Sequence, residues 1–208
     1  MTMDDGSIQK AGGRRVYLGL GTNLGDREAN LGEAIGRIKE LGLEIVRASS
    51  IYETEPVGYL DQPWFLNQVI EANMRPGLTF NSDDDAAESI KAASDTHPKL
   101  ILALLNALLG IEREMGRRRV IANGPRVIDI DILLYGEGAG FFIETLSAEG
   151  DDRVLVLPHP RLHLRRFVLV PLCEIAPDLQ HPELKKTCRE LLAALDDPSV
   201  VRVYRTGV

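Results

Sequence analysis

Disulfides, membrane spans and the usual nucleotide-binding loops are what this chain does without. Its 208 residues include two cysteines, Cys173 and Cys188, in no C-x-x-C pair. That spacing excludes a disulfide framework, a zinc ribbon and a dithiol redox motif. Both are expected to be buried or partly buried thiols in a reducing compartment. The opening Met-Thr-Met-Asp-Asp-Gly has no basic stretch followed by an apolar one, so no secretory signal is expected. The longest apolar stretch, Leu100 to Ile111, is interrupted by Asn106 and is too short to span a bilayer. A cytoplasmic protein with no membrane partner is expected. No G-x-x-x-x-G-K-S/T loop occurs, and Gly19, Gly21 and Gly25 miss the G-x-G-x-x-G pattern because Leu24 holds its third glycine position. A formal net charge of −7 argues against a general nucleic-acid binder, though it does not forbid a local basic pocket.

What is present is a chain with enough apolar content, 44% of its residues, to bury one core. Residues 1–14 read as a flexible leader, and 15–208 as a single domain. Arg15 to Leu20 predicts a central strand ending in Gly-Leu-Gly-Thr-Asn-Leu-Gly-Asp, whose glycines are expected to serve a tight strand-to-helix turn. Asp26 is placed to cap a helix in which Leu31, Ala34, Ile35, Ile38 and Leu41 keep helical spacing. Leu43 to Thr54 predicts one long strand, and Phe65 to Met74 returns as another after a long turn-prone connection. A helix from Lys99 to about Met115 follows, then a strand through Asp129. Inserted segments are expected near 80–98 and 137–153, the second as a hairpin or excursion. In the tail, Phe167 to Ile175 is apolar, Thr187 and Glu190 form a capping-box pattern, and Val200 to Tyr204 predicts a last short strand. The order β-α-β-β-α-β with C-terminal additions predicts an α+β, ferredoxin-like antiparallel sheet with helices packed on it.

Chemistry concentrates first on Asn-Gly-Pro-Arg-Val-Ile-Asp-Ile-Asp-Ile-Leu-Leu-Tyr, Asn123 to Tyr135. Side chains two apart on a strand share a face, so Asp129 and Asp131 stand roughly 7 Å apart at Cα. Two such carboxylates repel and resist desolvation. A hard divalent cation, magnesium above all, suits a site that supplies only a couple of carboxylates; solvated aspartates on an exposed strand are the alternative. Arg126, three residues before the pair, can bind a phosphate presented to the metal. Upstream, Glu112 to Arg119 reads Glu-Arg-Glu-Met-Gly-Arg-Arg-Arg. Arg117, Arg119 and Arg126 can converge on a polyphosphate, although cations closing a helix are also favourable by themselves. His159 lies between two prolines in a rigid extended turn. Phe65 and Asn67 alternate on one strand face, a ring for stacking and an amide that donates and accepts, which suits a flat heterocycle; a core aromatic beside a turn-capping amide is the equal alternative.

Together these stretches resemble the 6-hydroxymethyl-7,8-dihydropterin pyrophosphokinase family. The resemblance runs from Val16 to Pro182. It is carried by Gly-Leu-Gly-Thr-Asn-Leu-Gly-Asp, the Pro-Val-Gly loop ending Asp-Gln-Pro-Trp-Phe-Leu-Asn, Gly-Pro-Arg-Val-Ile-Asp-Ile-Asp-Ile-Leu, and Pro-His-Pro-Arg-Leu-His-Leu-Arg-Arg-Phe. It implies magnesium-dependent transfer of pyrophosphate from ATP to the pterin alcohol, with AMP released, in folate biosynthesis. It implies that Asp129 and Asp131 bind two magnesium ions, and that Arg117, Arg119, Arg126, His159 and Arg165 contact the ATP phosphates with Glu112 near the nucleoside. Phe65 and Phe167 would then sandwich the pterin, Asn67 would read its edge, and Val57 and Gly58 would complete the pocket. Asn123 stands where many members carry tryptophan. The rival readings are another magnesium-dependent nucleotidyl- or phosphotransferase and an RNA-binding ferredoxin-like module. Phe65, Asn67 and Phe167 speak against the first, the acidic charge against the second.

Overall fold

β1 (Arg14–Thr22) is hydrogen-bonded on both edges, antiparallel to β4 (Phe65–Met74) and to β5 (Asp129–Tyr135). The computed structural model of the protein describes residues 14–75, 77–78, 80, 97–117, 123–136, 143–148 and 151–204. Residues 1–13 of the expected leader and most of the 80–98 segment lie outside the described residues, and Arg14, the last residue of that leader, opens β1. Between β1 and β4 come α1 (Arg27–Glu40), β2 (Leu43–Ala48) and β3 (Tyr52–Thr54). α2 (His97–Glu114) precedes β5. β6 (Ile143–Ala148) and β7 (Asp151–Leu157) then form a two-stranded antiparallel sheet that overlaps the insertion expected at 137–153 and runs past it to Leu157. A 3₁₀ turn (Leu162–Leu164), α3 (Arg166–Ile175), α4 (Cys188–Ala194) and β8 (Val201–Val203) complete the order. The large sheet runs β5-β1-β4-β3-β8, with β2 on the other half of the β4 edge. Among the described residues this is an α+β architecture, one main antiparallel sheet with four α-helices.

Strand alternation divides that sheet into two unlike faces. Val16, Leu18, Leu20, Leu66, Ile70, Ile130 and Ile132 point to one face and pack with Leu31, Ala34 and Ile38 of α1 and Ile101, Leu104 and Leu108 of α2. Complete burial of such a side chain contributes about 1.5–3 kcal/mol. The exposed Arg37–Glu114 ion pair that joins α1 to α2, at 2.5 Å, is of a class worth about 0–1 kcal/mol. Apolar packing therefore docks the helices, and the charges decorate the seam. On the opposite face, Tyr17, Val69 and Leu133 are covered by Val168, Leu169 and Leu172 of α3 and by Cys188 and Leu191 of α4.

The long strand expected over Leu43–Thr54 is two strands. Ser49 breaks it: its hydroxyl accepts from the Val69 amide at 3.0 Å, and its carbonyl accepts from the Gln68 side chain at 2.8 Å. A serine side chain that takes over a ladder partner is the familiar competition between local and sheet hydrogen bonding. A register shift between Ile45 and Arg47 adds to the bend. The glycine expectation also needs correction, because Gly19 and Gly21 lie within β1 and only Gly25, at φ +65°, serves the turn into α1. The expected Asp26 cap is present, with its carboxylate accepting from the Ala29 amide at 3.1 Å. The Thr187–Glu190 capping box is complete. Cys188 is buried, Cys173 partly so, and both are free thiols. No helix among the described residues is long and apolar enough to cross a membrane.

Candidate active site

Where α3 and α4 stop covering the second face, a cleft of roughly 600 Å³ opens over the sheet. Its floor follows from register. Gly21 of β1 stands between Asp129 on β5 and Asn67 on β4, and Gly19 between Asp131 and Val69. Neighbours in an antiparallel ladder share a face, so two missing side chains leave a trough with carboxylates along one side and an amide along the other. A Cβ built on Gly21 would sit 2.7 Å from Asn67 Oδ1. The Asn67 amide is buried and donates to Thr54 Oγ1 at 2.7 Å.

One end of the cleft is ionic. Asp129 is gripped at both oxygens, by Arg117 at 2.5 Å and by Arg126 at 2.8 Å. Arg117 also pairs with Glu112, which accepts from the Ile130 amide at 2.7 Å. Among the described residues Asp131 pairs with Arg165 alone, at 3.9 Å. Burial and then repulsion from Asp129 raise the Asp131 carboxyl to about 6, although its side chain is still 42% exposed. The surrounding protein mass and the neighbouring charge govern it more than its opening to solvent does. Burial likewise lifts Glu112 to about 7, against the pull of Arg117. His159 is pushed the other way, to about 4, by burial and by Arg165 and Arg161, so it is neutral near pH 7. Its Nδ1 accepts from the Arg161 amide at 3.2 Å, leaving Nε2 as the protonated nitrogen. Among the described residues Arg126 Nε is buried without a partner, a donor ready for an incoming acceptor.

The carboxylate pair fits a divalent cation by the chemistry of its donors. Two hard oxygen ligands share one face, and their mutual repulsion is what a cation relieves. Among the described residues no third histidine, cysteine or carboxylate joins them in a metal-binding group. A magnesium ion held there would have most of its coordination left to other oxygen donors such as water.

The other end is aromatic. Phe65 and Phe167 both line the cleft with Val57, Gly58 and Asn67. The Arg126 guanidinium lies 5.0 Å from the Phe65 ring and that of Arg165 5.4 Å from Phe167, so the two arginines join the ionic end to the aromatic end. Gly58, at φ +88°, approaches Asn123, whose Nδ2 would be 3.3 Å from a Cβ there.

Of the residues expected from sequence, Arg117, Arg126, Asp129, Asp131, His159, Arg165, Val57, Gly58, Phe65, Asn67 and Phe167 all line this one cleft. Glu112 does not line it; it is 2% exposed and reaches the cleft through Arg117. Arg119 lies outside the described residues. Sequence reasoning missed Asn23, which is buried and exchanges two hydrogen bonds with the Arg126 backbone, at 2.8 and 3.1 Å. Its side chain also donates to Gln62 Oε1 at 3.0 Å and to the Pro63 carbonyl at 2.9 Å. Gln62 in turn donates to the Asn123 carbonyl at 2.9 Å. Asn23 and Gln62 both fall inside the quoted motifs, but nothing in their spacing ties them to Arg126. Arg161, readable only as surface charge, is a further lining residue.

Comparison with known proteins identifies the family of the chain. Residues 17–81 and 89–177 match the family model for 7,8-dihydro-6-hydroxymethylpterin-pyrophosphokinase. The chain is 41% identical over 190 residues to the 2-amino-4-hydroxy-6-hydroxymethyldihydropteridine pyrophosphokinase of Methylorubrum extorquens, covering 91% of this chain and 98% of that one. It is 34% identical over 191 residues to the protein of the same name from Bacillus subtilis, covering 91% and 90%. Among solved structures, HPPK-DHPS of Plasmodium falciparum superposes with a TM-score of 0.61 at 16% identity, over 89% of this chain and 44% of that one. That likeness concerns the fold, and the chain spans under half of that longer protein. The family match covers most of the chain, and two relatives are similar over nearly their whole length: the chain belongs to the 7,8-dihydro-6-hydroxymethylpterin-pyrophosphokinase family.

Proposed function

We propose that the cleft transfers the terminal diphosphate of ATP to the hydroxymethyl oxygen of 6-hydroxymethyl-7,8-dihydropterin, releasing AMP, a step of folate biosynthesis. The observation that carries this reading is the continuity of the two ends. Arg126 and Arg165 each touch an acidic side chain of the metal strand and a ring of the aromatic wall. A nucleotide polyphosphate and a flat heterocycle bound side by side would meet at those arginines.

In this reading Phe65 and Phe167 stack the pterin, while Asn67, held by Thr54, reads its edge. Val57 and Gly58 close that pocket. Arg117, Arg126, His159 and Arg165 take the phosphates, with Arg119 joining them from outside the described residues. Neutral His159 offers its Nε2 proton to a phosphate oxygen. Glu112 orients Arg117. The hydroxymethyl oxygen attacks the β-phosphorus, the bond from that phosphorus to the oxygen it shares with the α-phosphorus breaks, and AMP leaves; the alcohol proton passes to water or a phosphate oxygen. Bound magnesium, two ions by analogy with the family, supplies charge neutralisation at Asp129 and Asp131. The chain's contribution is positioning and electrostatics, as expected of phosphoryl-group transfer.

The strand order β5-β1-β4 followed by β3 and β2, all antiparallel, supports a ferredoxin-like topology for a single domain over residues 15–208. A cytoplasmic location suits free thiols and an ATP-dependent reaction. Nucleotide chromatography tests the function directly. Magnesium-dependent formation of one AMP per pterin consumed is expected. ADP as the main product, or no pterin-dependent AMP from folded protein, would overturn it.

A further inference from the structure

The family match ends at residue 177, yet the chain beyond it reaches both walls of the aromatic end of the cleft. On one side, the Asp197 carboxylate accepts from the Arg166 amide at 3.0 Å and from the Ser199 amide at 2.9 Å. Arg166 opens α3 between Arg165 and Phe167, and Arg165, at the N-cap position, supplies no side-chain cap of its own. Asp197 therefore caps that helix from a distance, where a carboxylate is favoured by the unpaired amides and the helix dipole.

On the other side, Val200 and Glu55 are joined twice. The Val200 amide donates to the Glu55 carboxylate at 2.8 Å, and the Glu55 amide donates to the Val200 carbonyl at 3.2 Å. β8 then pairs with β3, setting Val201 opposite Thr54, the residue that holds Asn67. Arg202 binds Glu53 Oε2 through Nε at 3.1 Å and Nη2 at 2.6 Å, and its guanidinium lies 4.9 Å from the ring of Trp64, next to Phe65. The other Glu53 oxygen accepts from Arg27, which also donates to the Trp64 carbonyl at 2.9 Å.

We propose that the segment Asp197–Tyr204 is a strap that sets the gap between the Phe65 and Phe167 walls, with Asp197 and Arg202 as positioning residues for the flat substrate. The proposal rests on the pyrophosphokinase reading of the cleft. A sandwiched ring is sensitive to such spacing, because a gap of about 0.5–1 Å on one face forfeits roughly a quarter to a half of each contact's attraction. The phosphate end is anchored mainly elsewhere, through Asn23, Glu112 and the metal strand, and of its residues named above only Arg165, one position before the Asp197 contact, lies beside the strap.

Full-length Asp197→Ala and Arg202→Ala test this by steady-state kinetics with each substrate varied in turn. The pterin KM is expected to rise about tenfold, the change that about 1.4 kcal/mol produces, while the ATP KM stays within about twofold. Arg202→Lys, which keeps the charge but not the planar fork, should recover part of the loss. Asp197→Asn, which keeps one acceptor oxygen, takes the place of the alanine variant if that does not fold. Hydrogen exchange on the ligand-free proteins reads the strap apart from activity. Faster exchange is expected at residues 166–169 in the Asp197 variant and at 53–55 in the Arg202 variant. Absence of pterin-dependent AMP from the wild-type chain would sink the pyrophosphokinase reading and leave the exchange result standing. Unchanged exchange, an unchanged pterin KM, or equal weakening of both substrates would overturn the strap.

Discussion

His159 shows how far tertiary surroundings can move a single side chain. Its ordinary value is 6.5, and burial with two neighbouring arginines takes it to about 4. Between those values the folded protein binds fewer protons than the unfolded chain, so stability rises with pH across the window. The contribution is complete above about 6.5 and is lost as pH falls toward 4. Asp131 acts with the opposite sign, since its carboxyl is raised to about 6 from 3.8 and the folded state there binds more protons than the unfolded one. The comparison of His159→Gln with wild type cancels Asp131. Chemical denaturation from about pH 7.5 to about pH 4.5 should show the wild type losing stability relative to the variant. A pH-independent difference would mean that His159 titrates normally.

Gly21 is the second test at this scale. Its substitution by alanine would drive a Cβ against the Asn67 carbonyl oxygen, and that amide can retreat only by giving up Thr54. We expect Gly21→Ala to weaken pterin binding by at least about tenfold, the equivalent of one lost hydrogen bond of roughly 1.4 kcal/mol, with ATP binding little changed. Calorimetry with each ligand decides it. Equal affinity for pterin would show that the floor tolerates a methyl group. The need for glycine here was hidden in the sequence, where Gly19 and Gly21 read as a turn. Only pairing of β1 with β4 and β5 reveals that their missing side chains form the trough.

At the scale of elements, helix ends were the most legible features because a cap is a local event. Thr187 and Glu190 close their box within four residues. Thr187→Ala should therefore lower stability by about 1 kcal/mol in a urea melt and leave the kinetics of the distant cleft unchanged. A loss of activity at full occupancy of the fold would show that α4 bears on the site. Strand continuity was less legible. Leu43–Thr54 has the composition of one strand, and its break depends on the Ser49 hydroxyl finding the Val69 amide 20 residues away. No local propensity encodes that partner. The loop carrying Val57 and Gly58 is similar: its seat against Asn123 is built through Gln62 and Asn23, contacts spanning up to 103 residues.

Across the whole molecule, acidic surface and basic cleft are separated. The chain carries a formal −7, while Arg117, Arg126, Arg161 and Arg165 gather around one pair of aspartates. Asp129 occupies two of those arginines, so in the proposed reading nucleotide and carboxylate would compete for the same guanidinium groups. Asp129→Asn should release them. ATP binding in the presence of a chelator is expected to tighten by at least about fivefold, since a hydrogen bond to a charged group is worth roughly 1.5–3 kcal/mol, while magnesium-supported turnover is lost. Titration calorimetry with and without magnesium measures both halves. Weaker binding in chelator would show that Asp129 orients the arginines rather than occupying them.

Local chemistry was written in the sequence itself: the alternation that puts Asp129 and Asp131 on one strand face, the helical spacing of α1 and α2, the caps at Asp26 and Thr187, and the four motifs that carry the family resemblance. Each depends on neighbours within a few residues, so backbone periodicity suffices to read it. The tertiary structure decided what those groups meet. It brought Arg117 onto Asp129 and Glu112, turned Gly19 and Gly21 into the floor between two strands, tied Asn23 to Arg126, and carried Asp197 and Arg202 back to the aromatic walls. Such contacts join segments up to 149 residues apart. They arise from strand register and apolar packing, which bring distant side chains together without any trace in local spacing.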